Sequence, residues 1–325
     1  MVCRIWDDIS EQYVDSNLLL GNGFSRNISE RFGYASLFDK AFDVDCLQNE
    51  RIKSLSRSFD NTHQFEELLE TLHVAGLVNT ALNSGTPLYD SDYDFIRTSL
   101  ANAVRAVHPT YDSVQRILLA IGQELKKYSN VYTTNYDLLI YWAITSVANY
   151  QNYFCDYFWS DGVSFDPFNT DVWGRKTKLI YLHGALHLFR GNKGFLKKYT
   201  NVILNPFELM GSHTPIFVSE GNSQKKSKYI KNTDYLNFSY LSLKNSNENL
   251  VILGQSLSVQ DDHIKVAINL NFAGIKRLAI GIHNPAHDFE GKKREWLAKF
   301  NRFSSDNIDF FDSSTHPLTL PSLRI

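Results

Sequence analysis

Two polar side chains of the sequence stand directly after short apolar runs, Asn135 in YTTNYDLL and His183 in LIYLHGALHLF. An imidazole has a pKa close to neutral, so His183 is suited to exchanging a proton with a bound substrate. Gly184 follows it and has no side chain to obstruct that contact. Asn135, with Thr134 and Asp137 beside it, is suited to holding hydroxyl or amide groups of a ligand. The competing interpretation of Asn135 and Asp137 is a helix cap, which the stretch alone favours.

A glycine-rich turn, GNGFS at Gly21 to Ser25, follows the apolar run LLL. Glycines allow a backbone to approach a pyrophosphate, and the helix that follows offers free N–H groups to it. Ser25 is suited to capping that helix. Arg26 stands where the full dinucleotide-binding fingerprint has its third glycine, so a plain tight turn explains the motif about equally well. The candidate binding residues here are Gly21, Asn22, Gly23, Phe24 and Ser25.

A fourth stretch, ILGQSLSVQDDHI, places Gly254 and Ser256 after another apolar run, where they can contact a ribose or a phosphate. The carboxyl ends of parallel strands meet along one edge of a sheet, so the four stretches predict one crevice. A phosphate-bearing nucleotide is the ligand that this convergence favours.

Metal binding is not predicted. His183 and His187 have the i, i+4 spacing of ligands on one helix face, but no glutamate follows the first histidine and no cysteine pair completes a site. The interpretation of His187 is therefore a packed or hydrogen-bonded aromatic ring. Asp261, Asp262 and His263 form the one passable metal cluster, yet the two acids are equally well explained as first-turn residues that complement a helix dipole.

The elements that must position these residues are short apolar strands alternating with helices. Strands are predicted near 18–20, 130–137, 178–182, 215–219, 250–254, 277–282 and 308–311, and helices include 65–82, 94–107, 113–127, 234–244 and 262–272. This alternation predicts an α/β fold with a Rossmann-like parallel sheet flanked by helices. The whole chain, 1–325, is expected to form one domain, with a helical insertion at 48–128 after the first βα unit.

The composition excludes several classes of protein. With 325 residues, 43% of them hydrophobic, and a net charge of −2, the chain can build a large core and carries no electrostatic footprint for nucleic acid. Cys3, Cys46 and Cys155 contain no C-x-x-C pair, which excludes a cysteine-pair zinc ribbon. The longest apolar run is too short to span a bilayer, and no signal peptide is evident. A cytoplasmic protein is expected.

The ordered set G-N-G-F-S, T-T-N-Y-D, L-H-G and G-Q-S-L resembles the sirtuin-like family over roughly residues 17 to 283. It is most similar to the bacterial branch found among antiphage defence proteins, and the stretches SEG at 219–221 and NTDYL at 232–236 are similar to a subfamily of that branch. Three scattered cysteines cannot build the zinc module of protein-deacylating sirtuins. Family members without this module are typically NAD hydrolases.

The resemblance implies an NAD glycohydrolase that releases nicotinamide and ADP-ribose and acts in defence by NAD depletion. Asn135 and His183 would be catalytic, the first orienting a water or a ribose hydroxyl and the second taking a proton. NAD would be held by residues of the other stretches: Gly21, Asn22, Gly23, Phe24, Ser25, Thr134, Asp137, Gly254 and Ser256. Control by self-association, or by a partner protein such as an ATPase, is expected.

Two other functions remain open from the sequence. One is a module that binds NAD or ADP-ribose without turning it over. The other is an NAD-dependent dehydrogenase, with Asp43 or Asp45 binding the ribose about 20 residues after the glycine turn. The missing third glycine counts against the dehydrogenase.

Overall fold

The computed structural model describes residues 3–33, 99–158, 164–168, 177–191, 196–199, 215–218 and 223–325, with isolated positions between 54 and 82. The predicted helix at 65–82 falls largely outside the described residues, as do Asp43, Asp45 and the stretch 219–221. Within the chain that joins the first helix to the second strand, residues 99–107 are helical.

Ten strands are seen in the described residues, in two sheets. They are β1 (Asn17–Leu20), β2 (Asn130–Thr133), β3 (Phe154–Cys155), β4 (Thr177–Tyr181), β5 (Gly184–Arg190), β6 (Leu196–Lys198), β7 (Pro215–Phe217), β8 (Leu250–Leu253), β9 (Leu278–Ile282) and β10 (Ile308–Asp312). The central sheet has the order β10-β9-β8-β1-β2-β4-β3, and its strand pairs are parallel. This confirms the predicted α/β fold with a Rossmann-like parallel sheet.

Besides the helical residues 99–107, seven α-helices with defined bounds accompany these strands in the described part of the chain. They are α1 (Asn22–Ile28), α2 (Tyr111–Leu125), α3 (Leu139–Thr145), α4 (Ser223–Lys231), α5 (Asp234–Lys244), α6 (Asp262–Leu270) and α7 (Phe289–Lys299). None of the helices that the structure describes is long and apolar enough to cross a membrane.

The central strands are buried on both faces, which explains their continuous apolar sequences. All four residues of β1 are buried, and successive side chains point to opposite sides of the sheet. Leu18 and Leu20 belong to the core that includes α1, α2 and α3, whereas Leu19 belongs to the core that includes α6 and α7. The sheet is therefore the middle of three layers.

The direction in which strands are added reverses at β1, which lies between β2 and β8. Ligands of open α/β sheets bind outside the carboxyl ends of the strands at such a switch point. The register places Leu253, Leu20, Thr133 and Tyr181 side by side across β8, β1, β2 and β4. The residues that follow these four must therefore meet along one edge.

The second sheet is antiparallel, with the order β6-β5-β7. The prediction that residues 215–219 join the parallel sheet is wrong, because β7 pairs with β5 instead. The chain turns out of β4 into β5 at Gly184, whose φ is +80° and whose missing Cβ would collide with the carbonyl oxygen of Ile216. Gly184 is thus required by the turn and by close backbone packing.

Candidate functional site

The two glycine turns at the switch point pack backbone against backbone. A Cβ on Gly21 would lie 2.5 Å from the carbonyl oxygen of Gly254, and one on Gly23 would lie 2.7 Å from Gly254 Cα. The N–H of Gly23 donates to the Gly254 carbonyl at 2.8 Å, and Gly254 itself has a φ of +68°. Close approach of β1 and β8 therefore explains all three glycines before any ligand is considered.

Helix α1 begins at Asn22, with Gly21 as its N-cap, so the prediction that Ser25 caps this helix is wrong. Ser25 lies inside the helix because the turn after β1 is a single residue. Phe24 and Ser25 are completely buried. The side-chain Nδ2 of Asn22 donates to the main-chain carbonyl oxygen of Phe32 at 3.0 Å.

Asn135 lies two residues beyond β2 and its side chain turns toward the β1 turn. Its Nδ2 donates to the carbonyl oxygen of Gly21 at 3.1 Å and to Ser25 Oγ at 2.8 Å. Since a carbonyl oxygen can only accept, these bonds fix which end of the amide is nitrogen. The Oδ1 atom is buried and has no hydrogen-bond partner among the described residues. The side-chain amide of Asn135 is therefore fixed at its nitrogen, and its oxygen is available to accept a hydrogen bond.

Ser25 and Asp137 lie behind this amide. The Ser25 hydroxyl donates to Asp137 Oδ2 at 2.5 Å, and Asp137 Oδ1 accepts from the main-chain N–H of Leu139 at 2.9 Å. The helix-cap interpretation therefore fits Asp137, which holds the start of α3. It does not fit Asn135, whose amide nitrogen bonds the β1 turn and α1 instead. Ser25 and Asp137 position Asn135 through hydrogen bonds.

His108, which sequence reasoning missed, holds the same segment from the other side. Its Nε2 accepts from the N–H of Leu138 at 2.9 Å, so Nδ1 carries the proton and donates to the carbonyl of Pro109. Burial lowers the pKa of His108, which keeps this pattern of donor and acceptor at neutral pH.

Thr134 directly follows β2 and is partly buried, whereas Ser256 lies in the turn after β8 and is exposed. The hydroxyl of Thr134 accepts from the amide nitrogen of Gln255 at 2.9 Å, and the Gln255 oxygen accepts from the N–H of Ser256 at 3.1 Å. Gln255 thus ties the β2 end to the β8 turn. The structure brings Gly21, Thr134, Asn135, Gly254 and Gln255 together at one place.

His183 lies two residues beyond β4, in the row of the register that Asn135 occupies beyond β2. It is 3% exposed, and its Nε2 lies 2.9 Å from Nε2 of His263. The Nδ1 atom of His263 lies 3.3 Å from Ser223 Oγ, which also accepts from the main-chain N–H of His263 at 2.7 Å. Residues from the turn after β4, from α4 and from α6 therefore form one chain of hydrogen bonds.

The pKa of His183 differs from the near-neutral value expected from the sequence. Burial, and then the positive charge of Lys226, hold this pKa well below its usual range. Burial and the proximity of His183 lower the pKa of His263 to about 3. Both rings are therefore neutral at pH 7, and each has one nitrogen that donates and one that accepts.

Lys226 belongs to a lysine-rich stretch with Lys225 and Lys228, a pattern that predicts solvated charges, but it is 1% exposed and so departs from that expectation. Its ammonium lies 3.4 Å from Asp261 Oδ1, and that oxygen lies 3.9 Å from His183 Nε2. A buried ammonium is tolerated here because a carboxylate faces it.

Donor atoms of His183, Asp261 and His263 lie within 4.8 Å of one another, which raises the question of a metal. The two ring centres are 5.1 Å apart and the two nitrogens 2.9 Å apart. The difference between these two distances is about the sum of the two centre-to-nitrogen lengths within the rings. The two ring centres and the two nitrogens therefore lie nearly on one line, so each Nε2 points at the other ring. Metal ligands would instead point at a common third position, and the ammonium of Lys226 also opposes a cation there. This geometry favours a direct hydrogen bond.

His187 lies in strand β5, so the helical spacing argument for a shared metal face does not apply. The ring is fully buried, stacked on Tyr141 at 4.6 Å and edge-on to Tyr181 at 5.1 Å. Neither ring nitrogen has a hydrogen-bond partner among the described residues. This confirms the packed-ring interpretation of His187.

One family model matches this sequence, over residues 18–318, and its description is a domain of unknown function, DUF4917. The chain belongs to this family. The match includes every residue of the crevice described above, from Gly21 to His263. A comparison with curated proteins gave no match. The DUF4917 description states no activity, so the geometry of the crevice bears the chemical argument.

Proposed function

We propose that this DUF4917 protein hydrolyses NAD to nicotinamide and ADP-ribose. The observation that carries the proposal is the Oδ1 atom of Asn135, a buried acceptor without a partner among the described residues. A buried polar atom that lacks a hydrogen bond costs about 1–3 kcal/mol, so folds retain few of them without a reason. A ligand hydroxyl or a water molecule at this atom would supply the missing bond.

Cleavage of the nicotinamide–ribose bond needs positioning and electrostatics more than acid catalysis. Nicotinamide leaves as a neutral ring from a cationic one, so no proton has to be donated to it. The ribose passes through an oxocarbenium-like state, and the negative end of a fixed amide dipole stabilises such a cation. Asn135 is fixed by two hydrogen bonds at its nitrogen, which leaves its oxygen free for a ribose hydroxyl or the attacking water.

We assign the base role to His183; burial lowers its pKa, which keeps the ring neutral at pH 7 and also makes it a weaker base than a free imidazole. Its neutral ring can accept a proton, and its pairing with His263 through Nε2 leaves Nδ1 as the nitrogen for the substrate. Asn135 and His183 follow neighbouring strands in matching register, and neighbouring strands lie about 4.8 Å apart. We therefore propose that both side chains contact the ribose that carries the nicotinamide.

The dinucleotide would lie along the packed turns after β1 and β8. The partly or fully exposed residues of this region are Asn22, Gly23, Thr134, Gly254, Gln255 and Ser256. The order of the motifs, similar to that of sirtuin-like proteins, supports NAD over other nucleotides. Phe24, Ser25 and Asp137 would act by holding the site together.

We further propose a role in antiphage defence in the cytoplasm, by depletion of NAD. Such an activity needs restraint, which self-association or a partner such as an ATPase would provide. Residues 65–127 are the proposed contact surface, and most of residues 65–98 lie outside the described part of the chain. Measuring the size of the protein with and without NAD tests this, and a constitutively active monomer would contradict it.

The proposed reaction is tested by its products. The purified protein is incubated with NAD, nicotinamide and ADP-ribose are quantified, and the absorbance of reduced cofactor is followed in parallel. Equal amounts of nicotinamide and ADP-ribose without reduction support hydrolysis. Reduction of NAD would indicate a dehydrogenase, and tight binding without products, in the protein or its complex, would indicate a sensor.

A further inference from the structure

The pairing of His183 with His263 determines more than the place of the two rings. Each neutral imidazole carries a single proton, so the 2.9 Å contact between the Nε2 atoms requires one ring to donate and the other to accept. The choice decides whether Nδ1 of His183, the nitrogen left for a ligand, carries a proton or a lone pair.

We infer that His263 accepts the Nε2 proton of His183 and thereby holds His183 in the tautomer whose Nδ1 is an unprotonated base. The inference rests on the proposed function, because only a base at Nδ1 requires this tautomer. His263 is then a positioning residue, comparable to the buried carboxylate that orients the histidine of a serine hydrolase triad.

Two further contacts agree with this direction. If His263 accepts at Nε2, its own proton lies on Nδ1, where Ser223 Oγ stands at 3.3 Å. A hydroxyl oxygen has two lone pairs, so it can accept this proton together with the main-chain N–H of His263. Asp261 Oδ1 lies 3.9 Å from His183 Nε2, and its negative charge favours a proton on that nitrogen over a lone pair.

The proton balance of the reaction is then complete. A water molecule passes one proton to His183 Nδ1 while its oxygen forms the bond to the ribose carbon, and nicotinamide leaves with the electron pair of the broken glycosidic bond. His183 becomes an imidazolium whose Nε2 proton still faces His263, with the Asp261 carboxylate near by. Hydrolysis of NAD releases one proton in total, and it leaves Nδ1 for solvent when the product departs.

The tautomers are measured directly, without NAD, by long-range nitrogen–proton NMR on protein that contains 15N-labelled histidine. Spectra of His183→Asn and His263→Gln assign the two rings. We expect His183 to be protonated on Nε2 and His263 on Nδ1. The opposite pair of tautomers, or an averaged mixture, would overturn the inference. A wild-type protein that releases no nicotinamide would sink the proposed function but would leave this measurement valid, so the two failures are distinguishable.

Kinetics provide the second test. Glutamine at 263 retains a carbonyl acceptor and leucine does not, so His263→Leu should lower kcat by about 10²-fold or more with little change in KM, and His263→Gln should recover much of it. His283→Asn, which changes an exposed histidine, is the control and should match wild type. Equal losses in the leucine and glutamine variants, or a rise in KM alone, would overturn the inference. If the leucine variant does not fold, Ser223→Ala should shift His263 toward the Nε2-protonated tautomer, and an unchanged spectrum would count against it.

Discussion

Asn135 Nδ2 lies 2.8 Å from Ser25 Oγ, and the same hydroxyl donates its proton to Asp137. A residue from the end of β2 is thus held by a residue of α1, 110 positions earlier in the chain. The bond turns the amide oxygen away from the protein groups that fix its nitrogen. Positioning of Asn135 by Ser25 is the relationship on which the proposed chemistry depends.

Ser25→Ala tests that relationship. Loss of the hydroxyl removes one acceptor from Asn135 and one donor from Asp137, so the amide gains freedom to rotate. We expect turnover of NAD to fall at least tenfold, since mispositioned catalytic groups commonly cost about 10²-fold. Ser239→Ala is the matched control, because Ser239 is equally buried and donates only to the carbonyl of Tyr235. Equal activity of the two variants would show that Ser25 does not position Asn135.

Gly23→Ala tests the packing of the two turns. The new methyl group would lie 2.7 Å from Gly254 Cα. The methyl carbon is bonded directly to the backbone and Gly254 Cα is a backbone atom, so the clash is relieved only if the backbone moves. We expect a loss of about 1–3 kcal/mol in the free energy of unfolding, with weakened NAD binding. Gly191→Ala is the control, because its methyl would meet only the flexible side chain of Lys197 at 3.1 Å. Stability is measured by denaturant titration. A Gly23→Ala variant that is as stable as wild type and as Gly191→Ala would contradict this account of the glycines.

Stability should fall in mild acid because several buried histidines are neutral. Burial lowers the pKa of His316 to about 3, and its Nδ1 accepts from the N–H of Leu318 while Nε2 faces the hydroxyl of Tyr128. The unfolded chain titrates near pH 6.5. The contribution of His316 is therefore fully present above about pH 6.5 and is lost as the pH falls toward 3, at up to about 1.4 kcal/mol per pH unit.

Urea titrations at pH 7.5 and 5.5 measure this slope. His316→Gln lowers stability at both pH values, because contacts of the ring are lost, but it should flatten the dependence on pH. A wild-type protein equally stable at both pH values would contradict the neutral state of these rings.

Removal of divalent metal should leave NAD turnover unchanged. The rings of His183 and His263 point at each other, and Lys226 occupies the neighbourhood of the Asp261 carboxylate. Activity is measured after exhaustive treatment with a chelator, and the metal content of the purified protein is determined by mass spectrometry. One equivalent of zinc, together with loss of activity on chelation that zinc restores, would show that the cluster is a metal centre.

Part of this structure is accessible to sequence reasoning because it depends on local pattern. Leu18 to Leu20 form an unbroken apolar run, and such runs indicate parallel strands buried on both faces. Polar residues after those runs, such as Asn135 and His183, then fall at one edge of the sheet. The fold class and the location of the crevice follow from these two features.

Other parts depend on contacts between distant residues, which no local pattern contains. His183 and His263 are 80 positions apart, and their pairing becomes visible only when α6 packs beside the end of β4. Nothing in the sequence distinguishes Lys226 from its neighbours Lys225 and Lys228. Lys226 is buried because it lies on the face of α4 that is directed toward Asp261. The prediction for Ser25 is wrong because α1 is capped by Gly21 and so begins four residues earlier than a helix capped by Ser25 would begin.

The central claim is tested most directly by nicotinamide release from NAD by wild type, Asn135→Ala and His183→Ala, with NAD binding and melting temperature measured on the same preparations. We predict release by wild type, a loss of about 10²–10⁴-fold in each variant, and binding that survives better than turnover. The melting temperature should fall modestly in Asn135→Ala, which leaves Ser25 without one of its hydrogen-bond partners. Wild-type rates of release in both variants, with lowered melting temperatures, would show that the two residues are structural and would contradict the account.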